Sequence, residues 1–117
     1  MRTFRALAVL ALIPAGGCFP SGAETPEEHA LDVFEDAEAH FAARRYADAV
    51  AEYTFVIGAR ERWKEPYYKL ARCHEAMGHE EEAVKTLEGV LRFDRSDETA
   101  RVEIARLQTR IEAMRKR

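Results

Sequence analysis

The chain of 117 residues has few of the residues that build β-sheets or interrupt helices. β-Branched residues form no sustained run after residue 26, and most of the glycine and proline lies at or before that position. Alanine, glutamate, arginine and leucine recur instead, which is the composition of a helical protein. The length allows one small domain, and the net charge of −3 gives no reason to expect nucleic-acid binding. The sequence therefore predicts a small all-α domain with no nucleic-acid partner.

Groups that would carry catalysis are also missing. Cys73 and His74 are neighbours, so on a helix their side chains point about 100° apart and cannot form a nucleophile–base pair. The four histidines lack the i, i+4 spacing of helical metal ligands, and no glycine-rich phosphate loop is present. We therefore expect no enzyme activity, no metal site and no cofactor. Cys73 is expected to be a buried thiol rather than a reactive group.

Residues 1–17 have the pattern of a secretory signal peptide. Two arginines precede a short apolar stretch at 6–15. A membrane span needs about 20 apolar residues, so this stretch is too short to cross a bilayer and fits a secretory signal better. The letters AGGC at 15–18 resemble a bacterial lipobox, which implies that Cys18 is lipidated and that residues 18–25 form a short linker. The alternative is ordinary signal-peptidase cleavage after Ala23.

The two cleavage sites imply different locations. A lipid on Cys18 implies an exported lipoprotein that is anchored to a membrane and faces the periplasm. Phe19 after the cysteine favours the outer membrane over the inner one. Cleavage after Ala23 implies a soluble periplasmic or secreted protein.

The part of the chain that follows repeats itself with a fixed period. Ala37, Ala71 and Ala105 are spaced by 71 − 37 = 34 and 105 − 71 = 34, and Ala49 and Ala83 share this spacing. Within the period, YADAVAEY and GHEEEAV, which begin at residues 46 and 78, resemble the second-helix signature of the tetratricopeptide repeat (TPR) family. The resemblance implies helical hairpins with alanine where paired helices cross. It further implies a right-handed α-solenoid fragment with TPR repeats at 26–60 and 64–95 and a capping helix at 97–115.

Capping residues predict where the helices begin and end. Thr25 opens the first helix as the N-cap of a capping box. A second helix is expected to stop at Gly58, because glycine often ends helices, and a third is expected to begin at Pro66. Ser96 or Asp97 then caps the last helix.

The TPR resemblance also implies a binding groove, since the first helix of each TPR hairpin lines a concave surface. Carried over by position, the groove-lining residues are Phe34, Phe41, Tyr68, Lys69, Arg72, Arg106 and Arg110. The carboxylate clamp of chaperone-type TPR proteins needs asparagine, and this sequence has none. That specific function is therefore excluded.

Two interpretations of the groove charges stay open. In the first, charges that lie one period apart form a ladder of ion pairs across neighbouring helices. The two sets are Glu35, Lys69 and Glu103, and Glu38, Arg72 and Arg106. In the second, Arg106 lies beside Arg72 with Arg110 one turn further, and this basic site binds a carboxylate or another anion of a partner.

The function that these features favour is an interaction scaffold of the bacterial cell envelope that binds a protein or peptide partner in the groove. The alternative is a structural or oligomerisation element with no peptide ligand. Exposure of Leu31, Phe34 and Phe41 would favour self-association through the first helix, because an apolar patch often marks an interface. The same side chains would otherwise fill the core of the first repeat.

Overall fold

A computed structural model describes residues 25–117, so the predictions for the signal peptide and Cys18 lie outside the described residues. Five helices make up 82% of the described part, and that part contains no strand. In chain order they are α1 (Pro26–Ala42), α2 (Tyr46–Ala59), α3 (Lys64–Ala76), α4 (Glu80–Phe93) and α5 (Glu98–Arg115). Each helix packs against the next, which gives two hairpins followed by a fifth helix. Within residues 25–117 no helix is both long and apolar enough to cross a membrane.

Side-chain caps fix two helix starts as the sequence predicts. The Thr25 hydroxyl accepts a hydrogen bond from the backbone N–H of Glu28 at 3.1 Å, and Pro26 follows at the first helical position. A carboxylate oxygen of Asp97 accepts from the N–H of Ala100 at 2.9 Å, so Asp97 rather than Ser96 caps α5. Gly78 follows α3 with φ of +81°, a conformation that glycine adopts without steric cost.

Two predicted boundaries are wrong. The helix α2 does not stop at Gly58 but continues to Ala59, since glycine ends a helix only where the backbone adopts a left-handed conformation and Gly58 does not. The helix α3 begins at Lys64 rather than at Pro66. Proline is tolerated there because the N–H groups of the first helical turn have no partner within the helix.

The core of each hairpin forms around small residues, which confirms the predicted helix crossings. Ala37 and Ala49 are fully buried where α1 meets α2, and Ala83 is fully buried where α4 meets α3. Tyr53 and Leu87 fill the bulky position of α2 and α4 respectively, and both are almost completely buried. Larger side chains at the alanine positions would force the paired helices apart.

The first helix presents polar side chains where a preceding repeat would pack. Leu70 and Cys73 of α3 are buried in the core of the first hairpin. The positions one period earlier, 70 − 34 = 36 and 73 − 34 = 39, hold Asp36 and Ala39, which are exposed. The outward face of α1 therefore presents Asp36 and the small side chain of Ala39 where α3 buries Leu70 and Cys73.

The last helix ends the stack in the same manner. Tyr67 and Ala71 of α3 are buried against α4, whereas the residues one period later, Arg101 and Ala105, are exposed on α5. Gln108 is exposed on the same face. The helix α5 therefore packs on α4 through Ile104 and Leu107 and presents a mainly polar opposite face, which agrees with its predicted role as a cap.

The apolar patch considered for α1 is only partly exposed. Leu31 is 47% exposed. Phe34 and Phe41 are half-buried and pack against the core of the first hairpin. For these two rings the structure agrees with the alternative that they fill the core of the first repeat.

Candidate binding groove

The first helices of the hairpins and the cap, α1, α3 and α5, are joined by ion pairs. Glu38 of α1 lies 3.3 Å from the Lys69 ammonium of α3, and Glu75 of α3 lies 2.8 Å from the Arg106 guanidinium of α5. Both pairs have the same separation in the sequence, since 69 − 38 = 31 and 106 − 75 = 31. The predicted ladder is therefore present, but its partners are one helical turn away from the residues expected one period apart.

Glu75 is the centre of the larger ion-pair network. Arg106 donates two hydrogen bonds to its carboxylate, at 2.8 and 2.9 Å, and Arg110 donates a third at 3.0 Å. The hydrogen bonds from Arg106, followed by the charges around it, lower the pKa of Glu75. Arg106 also binds Glu103. The predicted anion site at Arg106 and Arg110 is thus occupied by a carboxylate of the protein itself.

Arg72 differs from the other predicted basic residues. Its side chain is exposed and forms no hydrogen bond or close ion pair within residues 25–117, although its charge is among those that lower the pKa of Glu75. It lines two neighbouring hollows. One also contains Phe41, Arg106 and Arg110, and the other, of about 280 Å³, also contains Tyr68 and Lys69. Arg72 and five of the other six predicted groove residues therefore lie together.

The seventh predicted residue, Phe34, lines neither of these hollows. Its ring packs between Tyr53, at a centroid distance of 5.8 Å, and Trp63, at 4.5 Å. From its repeat position alone, Phe34 is predicted to face a binding partner. In the structure its ring contacts Tyr53 and Trp63 instead. Trp63 lies just before α3, in a segment where the repeat pattern gives no reason to expect a contact with α1.

The remaining aromatic residues of the groove are held by polar contacts. The Lys69 ammonium lies 5.2 Å from the centre of the Phe41 ring, where a cation–π attraction operates. The Tyr68 hydroxyl donates a hydrogen bond of 2.7 Å to Asp97, and Lys64 donates to the same carboxylate at 2.8 Å. Burial, together with the hydrogen bond to Asp97, raises the pKa of Tyr68 to about 12. The wall of the groove is therefore preformed.

The sequence period and the helical pairs built on it agree with an independent comparison of the sequence. A family profile described as tetratricopeptide repeat matches residues 34–111, which is two thirds of the chain. The chain belongs to the tetratricopeptide-repeat family. A comparison with curated proteins returned no significant match. TPR repeats are commonly modules for protein–protein interaction, and the family is generally non-enzymatic.

Two residues that could carry chemistry, Cys73 and His40, lie at structural positions of the TPR hairpins, whereas the buried Nδ1 atom of His74 has no hydrogen-bond partner among residues 25–117. Cys73 is a free thiol with no exposed surface, and burial raises its pKa to about 11, which suppresses the reactive thiolate. His40 contacts Glu52 across the first hairpin at 2.7 Å. In the stretch from residue 25 to residue 117, no group of three or more histidine, cysteine or acidic residues could hold a metal ion.

Proposed function

We propose that this TPR protein is a non-enzymatic scaffold that binds an extended segment of a partner protein in the groove formed by α1, α3 and α5. The observation that carries the proposal is Arg72, a cation that lies between two hollows of this groove. The other cations of the groove, Lys69, Arg106 and Arg110, are neutralised by carboxylates of α1, α3 and α5. Arg72 is therefore the charge that a partner can bind without breaking an existing ion pair.

The hollow beside Arg72 indicates what the partner segment carries. Ala71, Leu87 and Leu107 line its apolar part. Its charged lining consists of Lys69, Arg72, Glu65, Glu75 and Glu103, of which Glu75 and Glu103 already bind Arg106. The hollow, of about 280 Å³, is large enough for one side chain of moderate size. We therefore propose a partner segment with an apolar side chain next to a carboxylate, which Arg72 would bind through a charge-assisted hydrogen bond.

A peptide selection tests this proposal directly. A random peptide library would be selected on the full chain, and the affinities of the enriched peptides measured by titration. We expect these peptides to carry a carboxylate next to an apolar residue. Arg72→Ala should weaken their binding by about tenfold to a hundredfold, since a hydrogen bond to a charged group contributes roughly 1.5–3 kcal/mol.

Lys85 provides the matched control, because it is an exposed cation on α4 and lines neither hollow. Lys85→Ala should leave the affinities unchanged. Selected peptides that bind the wild-type chain and the Arg72→Ala variant equally well would contradict the proposed groove.

We also propose that the protein is held at a membrane of the cell envelope by a lipid on Cys18. The apolar stretch at 6–15 and the lipobox-like letters before Cys18 support this location. Intact-mass measurement of protein extracted from membranes should find a mature chain that begins at Cys18 and carries the mass of acyl chains. A lipid-free chain that begins at Glu24 would contradict the anchor and leave the groove proposal untouched.

A further inference from the structure

The outward face of α1 carries an acidic strip, which we define as Glu28, Asp32 and Asp36. These residues follow one another at intervals of four, so they lie along one side of the helix over about 12 Å. All three are exposed, and their side chains form no ion pair within the part of the chain that the structure describes. The helix α1 contains no lysine or arginine that could neutralise them. Like charges at this spacing repel one another.

A surface of the opposite charge lies at the other end of the stack. Arg92, Arg95 and Arg101 line a cleft between the end of α4 and the start of α5, together with Leu91 and Glu88. We name these three arginines and Leu91 the arginine cleft. The arginines are exposed and have no ion-pair partner among residues 25–117. Three guanidinium groups share this cleft with one carboxylate, so the cleft as a whole is basic.

We propose that the acidic strip of one copy of this chain docks in the arginine cleft of a second copy. Three unpaired carboxylates then face three unpaired arginines, and the repulsion within each surface is relieved. One copy cannot make this contact with itself, because the side-chain contacts of α1 are with α2 and α3, while the cleft lies on α4 and α5. A nucleic acid is a poorer occupant, because the chain as a whole carries a net charge of −3.

An exposed aromatic ring beside the acidic strip adds an apolar component. Phe55 of α2 is 44% exposed, and its ring contacts that of His29, the neighbour of Glu28 on α1. Ala51 and Gly58, next to Phe55 on α2, are exposed and uncharged, whereas the positions one period later, Lys85 and Arg92, are charged. A docked copy can therefore approach this side of the first hairpin closely and cover Phe55.

The contact uses different surfaces on the two copies, so it is a head-to-tail contact that leaves one strip and one cleft free at the ends of any assembly that does not close into a ring. It involves none of the residues around Arg72. Peptide binding in the groove and association of copies are therefore separate properties of the chain, and either can fail without the other.

Charge reversal in pairs tests the proposal. The first variant carries Asp32→Lys with Asp36→Lys, and the second carries Arg95→Glu with Arg101→Glu. Sedimentation of the full chain across a concentration series at low salt should show wild-type association that weakens when salt is added. Each variant alone should sediment as a monomer, because its strip and its cleft then carry charge of the same sign. An equal mixture of both variants should associate again, since each strip meets a cleft of opposite charge.

Circular dichroism of both variants checks that the exposed substitutions leave the helices intact. Wild-type protein that remains monomeric at low salt would overturn the proposal, as would association that survives both charge reversals. Two monomeric, folded variants whose mixture stays monomeric would also overturn it, because complementary charge would then not be what joins the copies.

Discussion

Gly89 allows the packing of the second hairpin to be tested with a single methyl group. A Cβ atom at this position would lie 2.8 Å from Cε1 and 3.3 Å from Cδ1 of the Tyr67 ring. The ring cannot move aside easily, because its hydroxyl donates a 2.8 Å hydrogen bond to the Glu61 carbonyl and its other contacts include Phe93. Gly89→Ala should therefore cost about 1–3 kcal/mol of overpacking against a gain in helix propensity of roughly 0.5–1 kcal/mol. With both ranges at their midpoints the expected net loss is about 1 kcal/mol, which lowers the Tm by roughly 4–8 °C.

Gly58 is the control for this substitution, because it also lies inside a helix but a Cβ there would meet no atom within 4 Å. Gly58→Ala should raise stability by at most roughly 0.5–1 kcal/mol through helix propensity, since Gly58 lies one residue before the end of α2. Urea and thermal unfolding followed by far-UV circular dichroism would measure both variants. The reasoning is refuted if both substitutions change stability in the same direction, because the Tyr67 contact would then have no energetic effect.

Three further predictions concern other parts of the fold. Ala71→Leu should destabilise the domain by about 1–3 kcal/mol in urea unfolding. Ala105→Leu, at the same repeat position but exposed, should have little effect. Equal losses of stability would contradict the burial of Ala71 at a helix crossing. In a Cys18→Ser chain, where Cys73 is the one remaining cysteine, Cys73 should react with a thiol reagent only after unfolding, and rapid labelling of this folded variant would contradict its burial. Burial opposes the ionisation of Asp97, but hydrogen bonds, first that from Lys64, lower its pKa below the usual value. The contribution of the Asp97 carboxylate to stability should therefore be complete above about pH 4 and be lost as the pH falls through the lowered pKa. In a series of Tm values measured against pH, Lys64→Met should make this loss smaller.

Much of the fold follows from local signals and from the period. Ala37 and Ala71 are small because two helices cross there, and their recurrence at a fixed spacing reveals this without any coordinates. The caps at Thr25 and Asp97 depend only on residues within one turn, so they too can be predicted from the sequence. The end of α2 was predicted wrongly from Gly58, because the sequence does not reveal which backbone conformation a glycine adopts.

The groove is predicted less completely, because a repeat identifies equivalent positions and not the positions that touch. The equivalent repeat positions place Arg106 beside Arg72. In the structure the Arg106 side chain instead binds Glu75, which lies one helical turn from Arg72. The displacement of one helix along its neighbour depends on how the whole core packs and cannot be read from the spacing of charges. The same limitation applies to Phe34, whose contact with Trp63 joins the first repeat to the segment that precedes α3.

The polar outer faces of α1 and α5 determine where this array could be lengthened. One further repeat inserted between α2 and α3 would meet the apolar surfaces of a neighbouring repeat on each side, as α2 and α3 now meet each other. The same unit added before α1 would have to bury Asp36, and one added after α5 would have to bury Arg101 and Gln108. Burial of such groups without partners is costly. The array can therefore be lengthened by a repeat in its interior, whereas a repeat added at either outer face would bury polar groups at a cost in stability.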